Sequence, residues 1–481
     1  MKVKGRMKMD AESIAKQLVK TVGEVEIERV ARECGLLRRK RDITPMGLLT
    51  ACLSTLGVAE ARWLADIVRT FNKFSNKSVQ YKPFHNQMAK DAFPRFLQLL
   101  VQRAITNLAM PILASVPEHK LAQFRDIVLH DGCSFALKDA LAKQWPGRFT
   151  MVTPAAVELH VTMSVLTDQL LAVTLAPDKE AERAFAPKAS EVTGSLLLED
   201  RGYEHREFFL DVQAAEGFFI IRGKRNIRPT IRRAYTRSGR RLRYLEGKRL
   251  EWKLLPQETV DLDIDWGKGK SLYQGRLVAI YKRGKRNKKT FIYLHTNLDR
   301  RTFRIDDVGT LYRLRWQIEL LFKEWKSHAN LHRFDTAKSA IAEGLIWASI
   351  LAATLKRFVA HAAERILGFE LSTQRVAACA RHFFDDILRA LFRGSRSLPR
   401  QLDQALIFLG ENARRAHPNR DRIRGRLAAG LRPVSTDHRA ARARRAAYAY
   451  GRGTGAAQVS FSRFTPTRHA EDIAPAPSNN Q

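Results

Sequence analysis

Two periodicities divide the chain. From residue 10 to residue 115 apolar side chains recur at helical spacing. DAESIAKQLVKTVGEVEIERVARECG predicts a helical start with Asp10 as candidate N-cap, and RFLQLLVQRAITNLAMPILAS a second helical run that breaks near Pro111. The pattern then changes to short runs of Val, Leu, Ile and Thr between turn-prone residues. FRDIVLHDGCSFAL, AVELHVTMSVLT and QLLAVTLAP predict three successive strands, the first closed by Asp131. A helical stretch is expected over Glu180 to Lys188. SLLLED, apolar without alternation, predicts a fourth strand, buried on both faces and closed by Asp200. HREFFLDVQAAEG predicts a helix ending at Gly217, and FFIIRGK a fifth strand.

Residues 224–290 are heavily basic but interleaved with Tyr244, Trp252, Trp266, Tyr273 and Tyr281, which predicts strands and turns rather than disorder. TFIYLHTNL predicts a further strand. LYRLRWQIELLFKEWK, residues 311–326, predicts a helix with two distinct faces. At about 100° per residue, Leu311, Leu314, Ile318, Leu321 and Trp325 share one side. Tyr312, Arg315, Glu319 and Lys326 fall within about 60° of one another on the other side. An apolar helix follows at about residues 337–365. From residue 411 the chain becomes rich in Arg, Ala, Gly and Pro, with little apolar mass to bury, and disorder is expected there.

Charge changes the picture more than composition does. Of 481 residues 84 are Lys or Arg against 49 Asp or Glu, a formal net charge of +35. Such an excess repels itself in a compact fold unless a polyanion offsets it, and nucleic acid is the usual one. The alternative is a solvated basic surface. Cys34, Cys52, Cys133 and Cys379 form no CxxC pair, which argues against a zinc site or a disulfide framework and fits a reduced, cytoplasmic setting. The opening MKVKGRMKMDAES has no apolar stretch after its basic residues, so a secretory signal is not expected. The apolar run GLIWASILAATL is too short to span a bilayer, and no membrane partner is expected.

Taken alone, the polar face of residues 311–326 reads as a solvated stripe with i,i+4 ion pairs worth a few tenths of a kcal/mol. The strands alter that reading. In a sheet ordered strand-strand-strand-helix-strand, the first and fourth strands are neighbours, and Asp131 and Asp200 come together at their ends. Two carboxylates close in space suit Mg2+ or Mn2+. Glu319, from a flanking helix, would complete a site for two ions and in-line attack on a phosphodiester. Strand alternation turns His130 away from the Asp131 side. His130 and His160 are expected to be packed histidines, and Cys133 a small buried residue.

These residues carry a resemblance. Tyr312, Arg315, Glu319 and Lys326 reproduce the Tyr-x2-Arg-x3-Glu-x6-Lys signature of DDE transposases of the bacterial insertion-sequence-four family. EDRGYEHREFF, with Asp200, Gly202 and Tyr203, is similar to the family's second-acid segment, and FFIIRGK, with Arg222, follows it. LHDGCS, around Asp131, is the loosest match because Gly132 and Cys133 intervene before the Ser. The resemblance covers roughly residues 60–360. It implies an α/β fold: a ribonuclease H-like catalytic core split by a β-rich insertion, with helical N- and C-terminal parts. It also implies cut-and-paste transposition through a hairpin at the transposon end, with Asp131, Asp200 and Glu319 as catalytic acids holding two Mg2+ or Mn2+ ions. Tyr312, Arg315 and Lys326 would grip phosphates near the cleaved end, with Arg222 and Lys224 beside them. Phe291, with Trp252 as its rival, would hold a flipped base.

The organisation expected is a helical DNA-binding module at 1–118, core at 119–223, basic β-rich insertion at 224–290, core again at 291–365, helices at 366–410 and a basic tail at 411–481. The partners implied are double-stranded DNA, as terminal inverted repeats and as target, and a second copy of the chain in the synaptic complex. The setting implied is the bacterial cytoplasm, on the nucleoid. The Lys-rich run at 282–289 is expected to meet phosphates without sequence preference. Two rivals stay open: a metal-dependent nuclease on the same core, and a basic DNA-binding protein without activity.

Overall fold

In the computed structural model, residues 10–58, 64–115, 118–283, 289–331, 334–394, 396–415 and 429–434 are described. Six helices come first: α1 (Ala11–Val22), α2 (Glu24–Glu33), α3 (Pro45–Val58), α4 (Leu64–Ser75), α5 (Tyr81–Met88) and α6 (Ala92–Leu108). The Asp10 cap is present: its carboxylate accepts the Ser13 backbone N–H at 2.9 Å, and the Ser13 hydroxyl reciprocates on the Asp10 N–H. The short β1 (Leu113–Ser115) leads into the central sheet.

The sheet begins with β2 (Ile127–Ala136), β3 (Ala156–Ser164) and β4 (Gln169–Pro177) as an antiparallel meander. Then come β5 (Leu196–Glu199), α7 (Arg206–Ala214) and β6 (Phe218–Arg222), with β5 parallel to β2 and β6 parallel to β5. Leu196, Leu197 and Leu198 are all fully buried, as a strand covered on both faces requires. The stretch over Glu180 to Lys188 is not the expected helix. A 3-10 turn occupies Glu182–Phe185 and a second lies at Ala189–Val192.

The basic segment continues the same sheet rather than forming one of its own. It supplies β7 (Thr230–Thr236), β8 (Val260–Trp266) and β9 (Tyr273–Arg283), followed by β10 (Lys289–Thr296). Among the described residues the order is β4-β3-β2-β5-β6-β10-β9-β8-β7, with β10 antiparallel to both β6 and β9. The edge strand β7 carries Arg232 at a register shift against β8. Charge and a bulge at an edge discourage pairing with other chains. Residues 284–288 of the Lys-rich run lie outside the described residues.

The remaining elements are α8 (Ile305–Tyr312), α9 (Trp316–His328), α10 (Ser339–Leu367), α11 (Thr373–Ala378), α12 (Phe384–Phe392), α13 (Leu398–Asn412) and β11 (Leu431–Pro433). The stretch expected as one helix over 311–326 is two helices joined by a 3-10 turn at Arg313–Arg315. α10 is the apolar helix expected at about residues 337–365. Its 29 residues are long and apolar enough to cross a membrane by length and composition, but 83% of the qualifying window is buried in this fold, against α3, α6 and α11 among others. One apolar core joins the N-terminal helices, α9, α10 and the inner face of the sheet, so the N-terminal helices share a core with the sheet. The C-terminal tail also differs in part from expectation. β11 returns to pair antiparallel with β1, while 416–428 and 435–481 lie outside the described residues.

Candidate active site

β2 and β5 run parallel with Leu129 opposite Leu198, so two residues further on Asp131 and Asp200 face the same side of the sheet. Asp200 follows the last residue of β5, as expected. Asp131 does not close its strand: it lies mid-β2, because β2 and β3 run on together as a hairpin to Ala136 and Ala156. α9 crosses this face and presents Glu319 in its first turn, where a carboxylate suits the helix dipole.

Arg315 ties the acids together. One guanidinium nitrogen donates to Asp131 Oδ2 at 3.0 Å and the other to Glu319 Oε1. Arg222, ending β6, donates to Asp200 Oδ1 at 3.1 Å, and the Tyr312 hydroxyl donates to the same oxygen at 3.2 Å. The 3-10 turn explains how Tyr312 and Arg315 reach adjacent strands. Its tighter winding swings Arg315 toward β2 while Tyr312, still on α8, reaches the end of β5. Lys326 stands near Cys133, two residues along β2 on the same side as Asp131, and opposes the rise that burial gives its thiol.

Burial pushes the Asp131 carboxyl up to about 6; Asp200 and Glu319 add to the rise, and Arg315 opposes it. Asp200 behaves oppositely. Burial works against its ionisation, but Arg315, the Arg201 N–H and Arg222 outweigh burial and hold it below the usual range. Arg315 acts on both acids; they differ because Arg222 and the Arg201 N–H add to it at Asp200 alone.

The donor set is all hard oxygen and carries excess negative charge in a half-buried cleft, chemistry that fits a divalent cation. In the arrangement described, Arg315 stands among the acids. Among the described residues no three His, Cys, Asp or Glu side chains are grouped closely enough to hold a metal ion.

The other expected residues separate. Arg222 lines a recess of about 210 Å3 with Arg201, Arg225, Lys282, Thr290 and Phe291. Phe291 is 7% exposed, stacked parallel to Tyr293 at 6.4 Å with the Lys289 ammonium 5.8 Å above its ring. Trp252 is 49% exposed. Lys224 lines a neighbouring recess with Glu204, Arg206 and Trp266. His130 turns to the opposite face, as alternation requires, with its Nδ1 2.9 Å from Thr162 Oγ1. His160 stacks on Phe185 at 4.0 Å.

Sequence reasoning missed three features. Trp316, directly after Arg315, is 57% exposed at the start of α9 beside the acids; an aromatic between Arg313 and Lys323 was its signal. Arg201 and Arg225 were hidden because strand ends on different elements meet only in three dimensions. Glu199 and Glu158, behind the site, read as ordinary strand residues. Both are buried, and burial raises both carboxyls, Glu158 to about 7.

The transposase DDE domain family matches residues 122–355, a span that holds Asp131, Asp200 and Glu319. Similar curated proteins include the transposase of insertion sequence element IS231C from Bacillus thuringiensis subsp. berliner, 21% identical over 81% of this chain and 89% of that protein. The transposase of element IS1151 from Clostridium perfringens is 22% identical over 79% of this chain and 88% of that protein. Among solved structures, a piggyBac transposase synaptic complex with hairpin DNA shows a distant likeness, at TM-score 0.43 and 10% identity over 83% of this chain and 85% of that one. An acid-bearing sheet and helix, a matching domain model and relatives aligned over most of their length lead to one conclusion: this chain carries a transposase DDE domain and is similar to insertion-sequence transposases over most of its length.

Proposed function

We propose that Asp131, Asp200 and Glu319 are the catalytic acids of a cut-and-paste transposase acting on double-stranded DNA. The observation that carries this is that Asp131 of β2 and Glu319 of α9 share the Arg315 guanidinium, while Asp200 at the end of β5, held by Arg222 and Tyr312, lies near enough to interact with both Asp131 and Arg315. The strand order, an antiparallel meander followed by two parallel strands with a helix between them, supports a ribonuclease H-like core. The strands β7, β8 and β9 occupy the place of the basic insertion. The N-terminal helices serve as a DNA-binding module, the helices after α10 as a C-terminal part, and the tail beyond 411 as a basic extension.

Asp131, Asp200 and Glu319 would hold two Mg2+ or Mn2+ ions, which when bound supply an activated water and stabilise the leaving 3′ oxygen. The chain's own residues do the rest. Arg315, Arg222 and Lys326 neutralise phosphates flanking the scissile bond, arginine through its two-pronged fork. The Tyr312 hydroxyl fixes Asp200. Exposed Trp316 offers a stacking surface beside the acids. Phe291 lines a cationic recess sized for a small part of a nucleotide. Lys224 contacts the backbone further out. Two ends must be cut and joined together, so the working form is a homodimer on the DNA of the bacterial cytoplasm.

The test is cleavage of a transposon-end duplex in Mg2+, with a labelled 3′ end to read joining as well as cutting. Asp131→Ala, Asp200→Ala and Glu319→Gln are each expected to lose roughly a thousandfold or more, several kcal/mol of transition-state stabilisation. Cleavage by Asp200→Ala at the wild-type rate would sink the assignment, and cutting without joining would mark a nuclease.

A further inference from the structure

Each of the three acids is already held by a cation or a hydroxyl of the same chain. Arg315 spans Asp131 and Glu319, and Arg222 and Tyr312 share one oxygen of Asp200. These contacts are charge-assisted and strong. A metal-ligating arrangement of the same carboxylates requires the guanidinium between Asp131 and Glu319 to leave, since both would use the same lone pairs. Arg222 has somewhere to go. Besides touching Asp200, it lines the recess shared with Arg201, Arg225 and Lys282, and no acid contributes to that recess among the described residues. Four cations around a recess of about 210 Å3 make a seat for an anion. Arg315 sits at the last residue of a 3-10 turn, so its backbone can stay in place while its side chain changes rotamer.

Charge counting gives the direction. Three carboxylates and two guanidiniums leave the cleft with a single negative charge, a weak attraction for a divalent cation. With both arginines turned to phosphates, the acids recover their full triple charge.

We propose that Arg315 and Arg222 are exchangeable counter-ions: they neutralise the catalytic acids while the enzyme is free, and phosphates of a bound DNA end draw them off. Divalent-cation affinity then rises with DNA occupancy, and the ions are loaded where there is DNA to cut. This rests on the reading of Asp131, Asp200 and Glu319 as cation ligands. Since coupling between two ligands is reciprocal, the cation must raise DNA affinity by the same factor.

The experiment is a Mn2+ titration of the full-length protein, followed by the electron paramagnetic resonance of free Mn2+. It is run with and without a duplex of the terminal inverted repeat already cut to a 3′-hydroxyl. For the wild type, affinity is expected to rise about tenfold when the duplex is added, within the range usual for coupled sites. Arg315→Gln is expected to bind Mn2+ tightly without DNA and to gain little from it. Arg222→Gln, which touches a different acid, should shift the same way by less. Asp200→Ala should bind weakly in both conditions.

A wild-type affinity indifferent to DNA, or an Arg315→Gln affinity equal to wild type without DNA, overturns the proposal. Asp200→Ala binding as well as wild type would overturn the acid assignment instead, so the two failures are distinct. If Arg315→Gln loses its native circular dichroism, the wild type decides alone: DNA affinity measured with and without Mn2+ must change by the factor seen in the titration, and unequal or absent changes refute the coupling.

Discussion

Glu158 shows what one buried side chain costs beside the candidate site. It is 3% exposed on β3, its carboxylate packed against Gly132 next to Asp131, with Arg148 at 3.4 Å. Burial raises its carboxyl to about 7, helped by Glu182 and opposed by Arg148. A carboxyl whose folded value lies above its unfolded one stabilises the fold fully below about pH 4.5, and that contribution is lost as pH rises through about 7. Urea unfolding at pH 5 and pH 8 should therefore show wild type losing up to about 3 kcal/mol more than Glu158→Gln over that interval. Parallel losses would refute the burial argument. At this scale the sequence reveals residues whose spacing is local. Tyr312, Arg315, Glu319 and Lys326 are near neighbours in the chain, so their pattern is visible before folding. Glu158, Arg201 and Arg225 gain their surroundings from other elements, and nothing in their own neighbourhood marks them.

Between the single residue and the whole lies α9, which must be held in place for Glu319 to face β2. Arg357, buried on α10, pairs with Glu324 of α9 at 3.1 Å and with Asp168 of the β3–β4 turn at 3.0 Å. Next to it, Lys356 donates to the carbonyls of Gly57, near the end of α3, and His328, the last residue of α9, at 3.2 and 3.3 Å. Burial pulls the Lys356 amine down to about 8. Arg357→Ala would leave two buried carboxylates without their guanidinium, at a cost of roughly 3–5 kcal/mol. Thermal unfolding should show it, and cleavage should fall with it as α9 loosens; an unchanged melting temperature would refute the anchoring role. Elements with strong periodicity were legible, among them the strands of the meander, α7 and α10. Where periodicity misled, hydrogen bonding explains it. Residues 313–315 wind tighter than an α-helix, and the stretch around Glu182 makes only 3-10 turns.

For the whole molecule, a net charge of +35 sets how binding responds to salt. Each phosphate neutralised releases counter-ions, so affinity falls with ionic strength along a slope set by the number of contacts. Replacing Arg201, Arg225 and Lys282 together with Gln should flatten that slope by about one per lost contact, with little change in sequence preference. An unaltered slope in a salt titration of end-duplex binding would show that the recess does not hold DNA. The sequence alone determined the excess of positive charge, most of the strands and helices, and the local motifs that carry Asp200 and Glu319, because charge, period and spacing are properties of the chain itself. Only the tertiary structure decided that the basic segment extends the central sheet, that α10 is a core helix, and that Arg315 and Arg222 sit on the acids. Those facts depend on which distant elements pack together, and packing energy is shared among residues that no single stretch contains.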